Sequence, residues 1–351
     1  MWVVFQPPAF HPDRPTSVAP VRLDAHGLVG PTTAQARGPG WRRSSRGLYV
    51  PVHTDQQDPD QRIVEAAAVL PAYGGVTGWA ALHWLGGHWF GGLHRDGRTP
   101  RDVCLATGDI HIRHQPGIAI CEEKLDPRDL TVVDGLRVTT ALRSALFEMR
   151  YATNERLAIV TMDMAAYSDL VSIEEMSVYA AAHSSWTGIP QTREAIPHSD
   201  ENAWSPPEVL MRLTWRFDAG RPRPLCNVPI FDRSGRHIGT PDLLDPEAGV
   251  VGEYDGAVHL LGRQRARDVR READFRSVGL ECVTMLAPDL MDPSHFVRRL
   301  HAAYRRASYE PESRRAWTID QPAWWIPTDT VARRRALTDV QRTRLLRRRA
   351  A

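Results

Sequence analysis

The spacing of apolar residues changes period several times along this chain. Between about residues 225 and 286 they come in short runs broken by turn formers, which predicts strands at about 225–231, 237–244, 249–255 and Leu280–Leu286. Around and between these runs the spacing lengthens to three or four residues and predicts helices over Ser205–Asp218, about 263–279 and about 288–305. Ser205 reads as an N-cap, with Pro206 at the first helical position and Glu208 at the third. The order α-β-β-β-α-β-α predicts a mixed sheet flanked by helices.

Upstream, helices are expected over 60–72, 76–86, 141–150, 154–166 and 172–183. Strands are expected at Asp102–Ala106, Ile110–His114 and Gly117–Glu122, and in the basic segment Trp41–Pro51. Residues 1–40 are rich in proline, glycine and alanine and read as irregular. Prolines 190, 197, 206 and 207 cluster within a polar stretch, which marks a domain boundary. The expected fold class is therefore α+β: an irregular 1–40, a separate mixed N-terminal domain at 41–200, an α/β core at 201–308, and a tryptophan-containing, arginine-rich tail at 309–351.

Composition narrows the function. With 351 residues the chain suits two or three domains, and its 42% apolar content is ordinary for globular cores. A net charge of +2 gives no global polyanion signal, but the segment from Arg333 to Arg349 is strongly basic. Lys124 is the only lysine. Cys104, Cys121, Cys226 and Cys282 fit no zinc or CxxC spacing and read as reduced thiols of a cytoplasmic protein. The N-terminus lacks the basic region of a signal peptide, and no apolar run approaches the roughly 20 residues of a membrane span, so no membrane partner is expected. Walker A, GxGxxG and GxSxG patterns are absent.

The chemistry concentrates in Pro241-Asp242 and Glu253-Tyr-Asp255-Gly-Ala-Val-His259. A turn in Asp245–Gly249 folds Asp242 opposite residue 252 or 253, and Glu253 and Asp255 share a face because side chains alternate along a strand. Carboxylates gathered this way repel one another unless a cation sits between them, and hard oxygen ligands with an open side suit Mg²⁺ or Mn²⁺. Glu208 is either a capping-box glutamate or a further carboxylate aimed at that cation. His259 either polarises a water or phosphate oxygen or is a surface histidine. The eleven tryptophans serve as packing groups or as platforms for unpaired bases.

These residues, together with the helix Asp268-Val-Arg-Arg271-Glu-Ala-Asp-Phe275-Arg-Ser-Val-Gly279 and the strand leading to Asp289, resemble the very-short-patch-repair branch of the PD-(D/E)XK endonucleases. The resemblance covers about 205–290. It implies a restriction-endonuclease-like core, a metal held by Asp242, Glu253 and Glu208, and Asp255 and His259 positioning water or phosphate. The chain departs from the pattern where the superfamily often has lysine: Asp255 stands there. Trp41-Arg-Arg-Ser-Ser-Arg-Gly-Leu-Tyr, Gly78-Trp-Ala-Ala-Leu-His83 and Gly135-Leu-Arg-Val-Thr-Thr-Ala-Leu-Arg143 resemble abortive-infection type IV antitoxins. The expected function is Mg²⁺-dependent hydrolysis of DNA phosphodiesters in repair or phage defence, with Arg271, Arg333, Arg334, Arg347 and Arg348 on the nucleic acid. The alternative is a catalytically degenerate nucleic-acid-binding regulator of the antitoxin type. A homodimer or a protein partner is compatible with either.

Overall fold

The computed structural model describes residues 5–256 and 262–346, with 262–269 as backbone only. The protein is mixed α+β and divides into two compact units, Met1–Tyr151 and Ala152–Ala351.

The first unit is built on a five-stranded sheet in the order Ile118–Cys121, Val103–Ala106, Gly75–Thr77, Leu136–Thr139, Leu130–Val133. Its edge hairpin turns through Asp134 and Gly135, both at positive φ, the backbone that a tight two-residue hairpin turn requires. Helices Pro59–Ala67, Gly78–Trp84 and Ala141–Arg150 bury Ile63, Trp79, Leu82 and Leu146 in the core with Val76, Leu105 and Val138 of the sheet. Two expectations fail here. Residues 110–114 form no strand: Ile110 and Ile112 alternate with polar neighbours but lie outside the sheet, between glycines 108 and 117 at positive φ. Residues 1–40 are also more regular than their composition implies. Ala9–His11 pairs with Arg14–Val18, and a capping box of Thr32 and Gln35 starts the short helix Thr33–Ala36.

The second unit begins at Ala152, about forty residues before the proline cluster. Helices Glu155–Tyr167, Ile173–Ala182 and Ile189–Ala195 belong to it, because fully buried Asp163 pairs at 2.7 Å with buried Arg212 on helix Pro206–Leu213. The stretch expected to mark the domain boundary is partly helical. Gly188 supplies a left-handed N-cap and Pro190 occupies the first turn, where its missing N–H costs nothing. A four-stranded mixed sheet runs Leu225–Cys226, Leu243–Asp245, Val250–Asp255, Glu281–Leu286. Its pairings are antiparallel, antiparallel and parallel, and helix Gly262–Ser277 connects the parallel pair.

Alternation divides the sheet residues between two cores. Leu243, Val250, Val283 and Met285 pack with Met211, Trp215 and Phe296, whereas Leu244, Val251 and Cys282 pack with Phe275 and Trp317. Trp215 lies so close to the sheet that a Cβ at Gly252 would stand 2.9 Å from its ring. A small second sheet joins His237–Gly239, Ile230–Asp232 and Trp317–Thr318. Among the described residues no helix is long and apolar enough to cross a membrane.

Candidate active site

The hairpin of Leu243–Asp245 and Val250–Asp255 sets the site. The register Leu243↔Gly252 and Leu244↔Val251 places Asp242 opposite Glu253 when continued by one position, so both carboxylates leave the same face of the sheet. The closed end of the hairpin is fixed by Asp245. Its Oδ1 accepts the N–H groups of Glu247 and Ala248, and its Oδ2 accepts the Tyr304 hydroxyl at 2.5 Å. The Trp215 indole in turn donates to Tyr304 at 3.0 Å.

At the open end the Tyr254 N–H donates to Asp242 Oδ2 at 2.7 Å. Burial pushes the Asp242 carboxyl well above the usual carboxylate range, and the charges of Glu253 and Glu208 push it further, against the pull of the Tyr254 N–H and Arg271. Glu253 forms an ion pair with Arg271, which projects from helix Gly262–Ser277. Arg271 therefore pairs with Glu253 rather than with Asp255, which lies exposed at the strand end.

Glu208 is held by its own helix start. Its Oε2 accepts the Trp204 N–H at 2.9 Å and the Asn227 side-chain amide at 2.9 Å, and its Oε1 accepts the Ser205 hydroxyl at 2.8 Å. Sequence reasoning missed Asn227, which joins the two halves of the site. It sits in the left-handed region at φ 47°, and its backbone N–H donates to the Asp242 carbonyl at 3.0 Å while its amide holds Glu208. Neither its neighbours nor its type signals this role; only the pairing of Leu225–Cys226 with Leu243–Leu244 brings it there.

The three acids feel one another's charge, yet their ligand atoms do not close into one coordination set. Among the described residues the only three such groups within 4.8 Å of one another are His11, Asp13 and Asp134 in the first unit. The Arg14 guanidinium already bonds Asp134 there at 3.0 Å. Ligands about 2.1 Å from a shared Mg²⁺ lie closer to one another than that limit, so the expected direct ligation of one cation by Asp242, Glu253 and Glu208 together is not formed. A set of two of these carboxylates with waters would suit Mg²⁺, which keeps several waters and tolerates few carboxylates.

The expected nucleic-acid contacts separate. Arg334 is fully buried, donating to Asp169, the Ala166 carbonyl and the Thr328 carbonyl, so it is an internal anchor and not a phosphate ligand. Arg333 is exposed and pairs with Asp329 at 2.7 Å. His259, Arg347 and Arg348 lie outside the described residues. Comparison with protein-family models, curated proteins and solved structures yields no match to the chain.

Proposed function

We propose that the second unit is a restriction-endonuclease-like, Mg²⁺- or Mn²⁺-dependent nuclease that hydrolyses DNA phosphodiesters. The observation that carries this reading is the pairing of Asp242 with Glu253 on one sheet face, where burial, and then the charges of Glu253 and Glu208, raise the Asp242 carboxyl. A divalent cation relieves that repulsion and supplies Lewis acidity to the phosphate together with an acidic bound water. Asp242 and Glu253 would hold it. Glu208, fixed by Ser205, Trp204 and Asn227, would act beside it through water. Asp255, at the exposed end of the same strand, stands in the position to orient the attacking water, with His259 four residues further on. Arg271 neutralises charge beside Glu253 until the cation and the phosphate arrive.

The rival is a catalytically degenerate nucleic-acid-binding regulator of the antitoxin type. It is favoured by the same Arg271–Glu253 pair, which already supplies a cation to an acid that a metal would need. Incubating labelled single-stranded and duplex DNA with the protein in Mg²⁺, Mn²⁺ or EDTA separates the two. The nuclease reading expects metal-dependent cleavage that falls by about a hundred-fold or more in Asp242→Asn and in Glu253→Gln. Binding without cleavage, unchanged by either substitution, supports the regulator.

A further inference from the structure

We propose that Trp324, backed by Trp325 and His237, is a stacking platform for an unpaired base of the DNA strand that enters the carboxylate site. The proposal rests on the nuclease reading above and names the form of its substrate. Four aromatic rings converge on the small second sheet. Fully buried Phe231 meets Trp325 at 5.2 Å and Trp324 at 5.9 Å between ring centroids. Trp325 lies 5.1 Å from the His237 ring at an interplanar angle of 36°. The outermost ring, Trp324, is 60% exposed. An indole held from behind with its outer surface in water has the build of a base-stacking residue, since every base offers a π-face.

The place and charge of the cluster favour a nucleic acid strand as its occupant. His237 Nε2 lies 3.1 Å from the Thr240 hydroxyl, and Thr240 precedes Asp242 by two residues, so the platform continues directly into the carboxylate hairpin. Arg233, in the turn of the same small sheet, donates to the backbone carbonyls of Arg315 and Glu312, and Arg315 donates to the Glu310 carbonyl at 2.7 Å. Among the described residues neither guanidinium forms an ion pair, and the nearby Asp232 pairs with Arg236. Bound to neutral carbonyls, and in the case of Arg315 also lying over the Trp317 ring at 5.0 Å, the two cations keep their charge for phosphates of a strand stacked on Trp324.

The test measures binding by the full chain in EDTA, where no cleavage occurs, using fluorescence anisotropy of a labelled single-stranded oligothymidylate and of a blunt duplex. Trp324→Ala is expected to weaken single-strand binding by about five- to fifty-fold, with most of the loss recovered in Trp324→Phe and duplex affinity unchanged within about two-fold. Unchanged thermal melting of Trp324→Ala, expected for so exposed a side chain, shows that the loss is local. The proposal is overturned if Trp324→Ala binds single strands as tightly as wild type, if it loses both forms equally, or if the wild type does not bind single strands. Asp242→Asn, measured both for binding in EDTA and for cleavage in Mg²⁺, keeps the two claims apart. If it cleaves DNA in Mg²⁺ like wild type, the nuclease reading fails, whatever the affinities show.

Discussion

A single carboxyl carries much of the chemistry proposed here. Because burial and two neighbouring acids raise Asp242, the folded, metal-free protein holds its proton more tightly than the unfolded chain does. Stability on this account is lost as pH rises from the unfolded value of about 3.9 through the raised folded value, and a bound divalent cation restores it. Mn²⁺ binding is accordingly expected to release protons and to tighten as pH rises. Calorimetry in buffers of different ionisation enthalpy reads both effects, and Asp242→Asn is expected to abolish the release. Arg271 competes with the cation for Glu253. Arg271→Gln is therefore expected to tighten Mn²⁺ binding in the absence of DNA by about three- to ten-fold, a modest gain because the guanidinium is partly exposed. Tighter metal binding with slower cleavage would assign Arg271 to the phosphate; tighter binding with faster cleavage would make it purely inhibitory.

At the level of elements, the sheet and the helices around it depend on a few close fits. Gly252 faces Trp215 with no room for a Cβ, so Gly252→Val is expected to cost about 1–3 kcal/mol, measured by denaturant unfolding. Asp163→Ala leaves Arg212 without its buried partner and is expected to cost about 3–5 kcal/mol in the same experiment. Much of this layer was legible in advance. The apolar runs around Asp242 and Glu253 are short and the turn at Asp245–Gly249 is local, so spacing placed Asp242 opposite residue 252 or 253, and the structure selects Glu253. What depends on distant residues was not legible. Asn227 reaches Glu208 and the Asp242 backbone only through strand pairing, Arg271 chooses Glu253 over Asp255 through the placement of a whole helix, and Pro190 reads as a breaker although it starts a helix. Ile110–His114 shows the converse error: alternation without a partner strand is not a strand.

Over the whole molecule, the division at Tyr151/Ala152 makes the helices before Pro206 part of the unit that carries the carboxylates. A fragment beginning at Ala152 is expected to melt cooperatively, whereas one beginning at Glu201 leaves Arg212 and Arg334 without Asp163 and Asp169 and is expected to melt lower or not to fold; circular dichroism of both fragments checks this. The arginine-rich C-terminal region serves partly the same end. Arg334 and Arg342 both grip Asp169, so Arg334→Leu is expected to destabilise the second unit by about 3–5 kcal/mol, read by thermal melting, which a phosphate contact on the surface would not do.

The turn at Asp245–Gly249 also governs which changes of chain length the protein tolerates. Side chains in a strand alternate, so deleting or inserting one residue between Asp245 and Glu253 would swing the glutamate to the opposite side of the sheet, into the space filled by Trp215. The turn at Asp232–Arg236 is exposed, and no carboxylate of the site depends on its length. Variants that differ in length should accumulate in the second turn and be purged from the first.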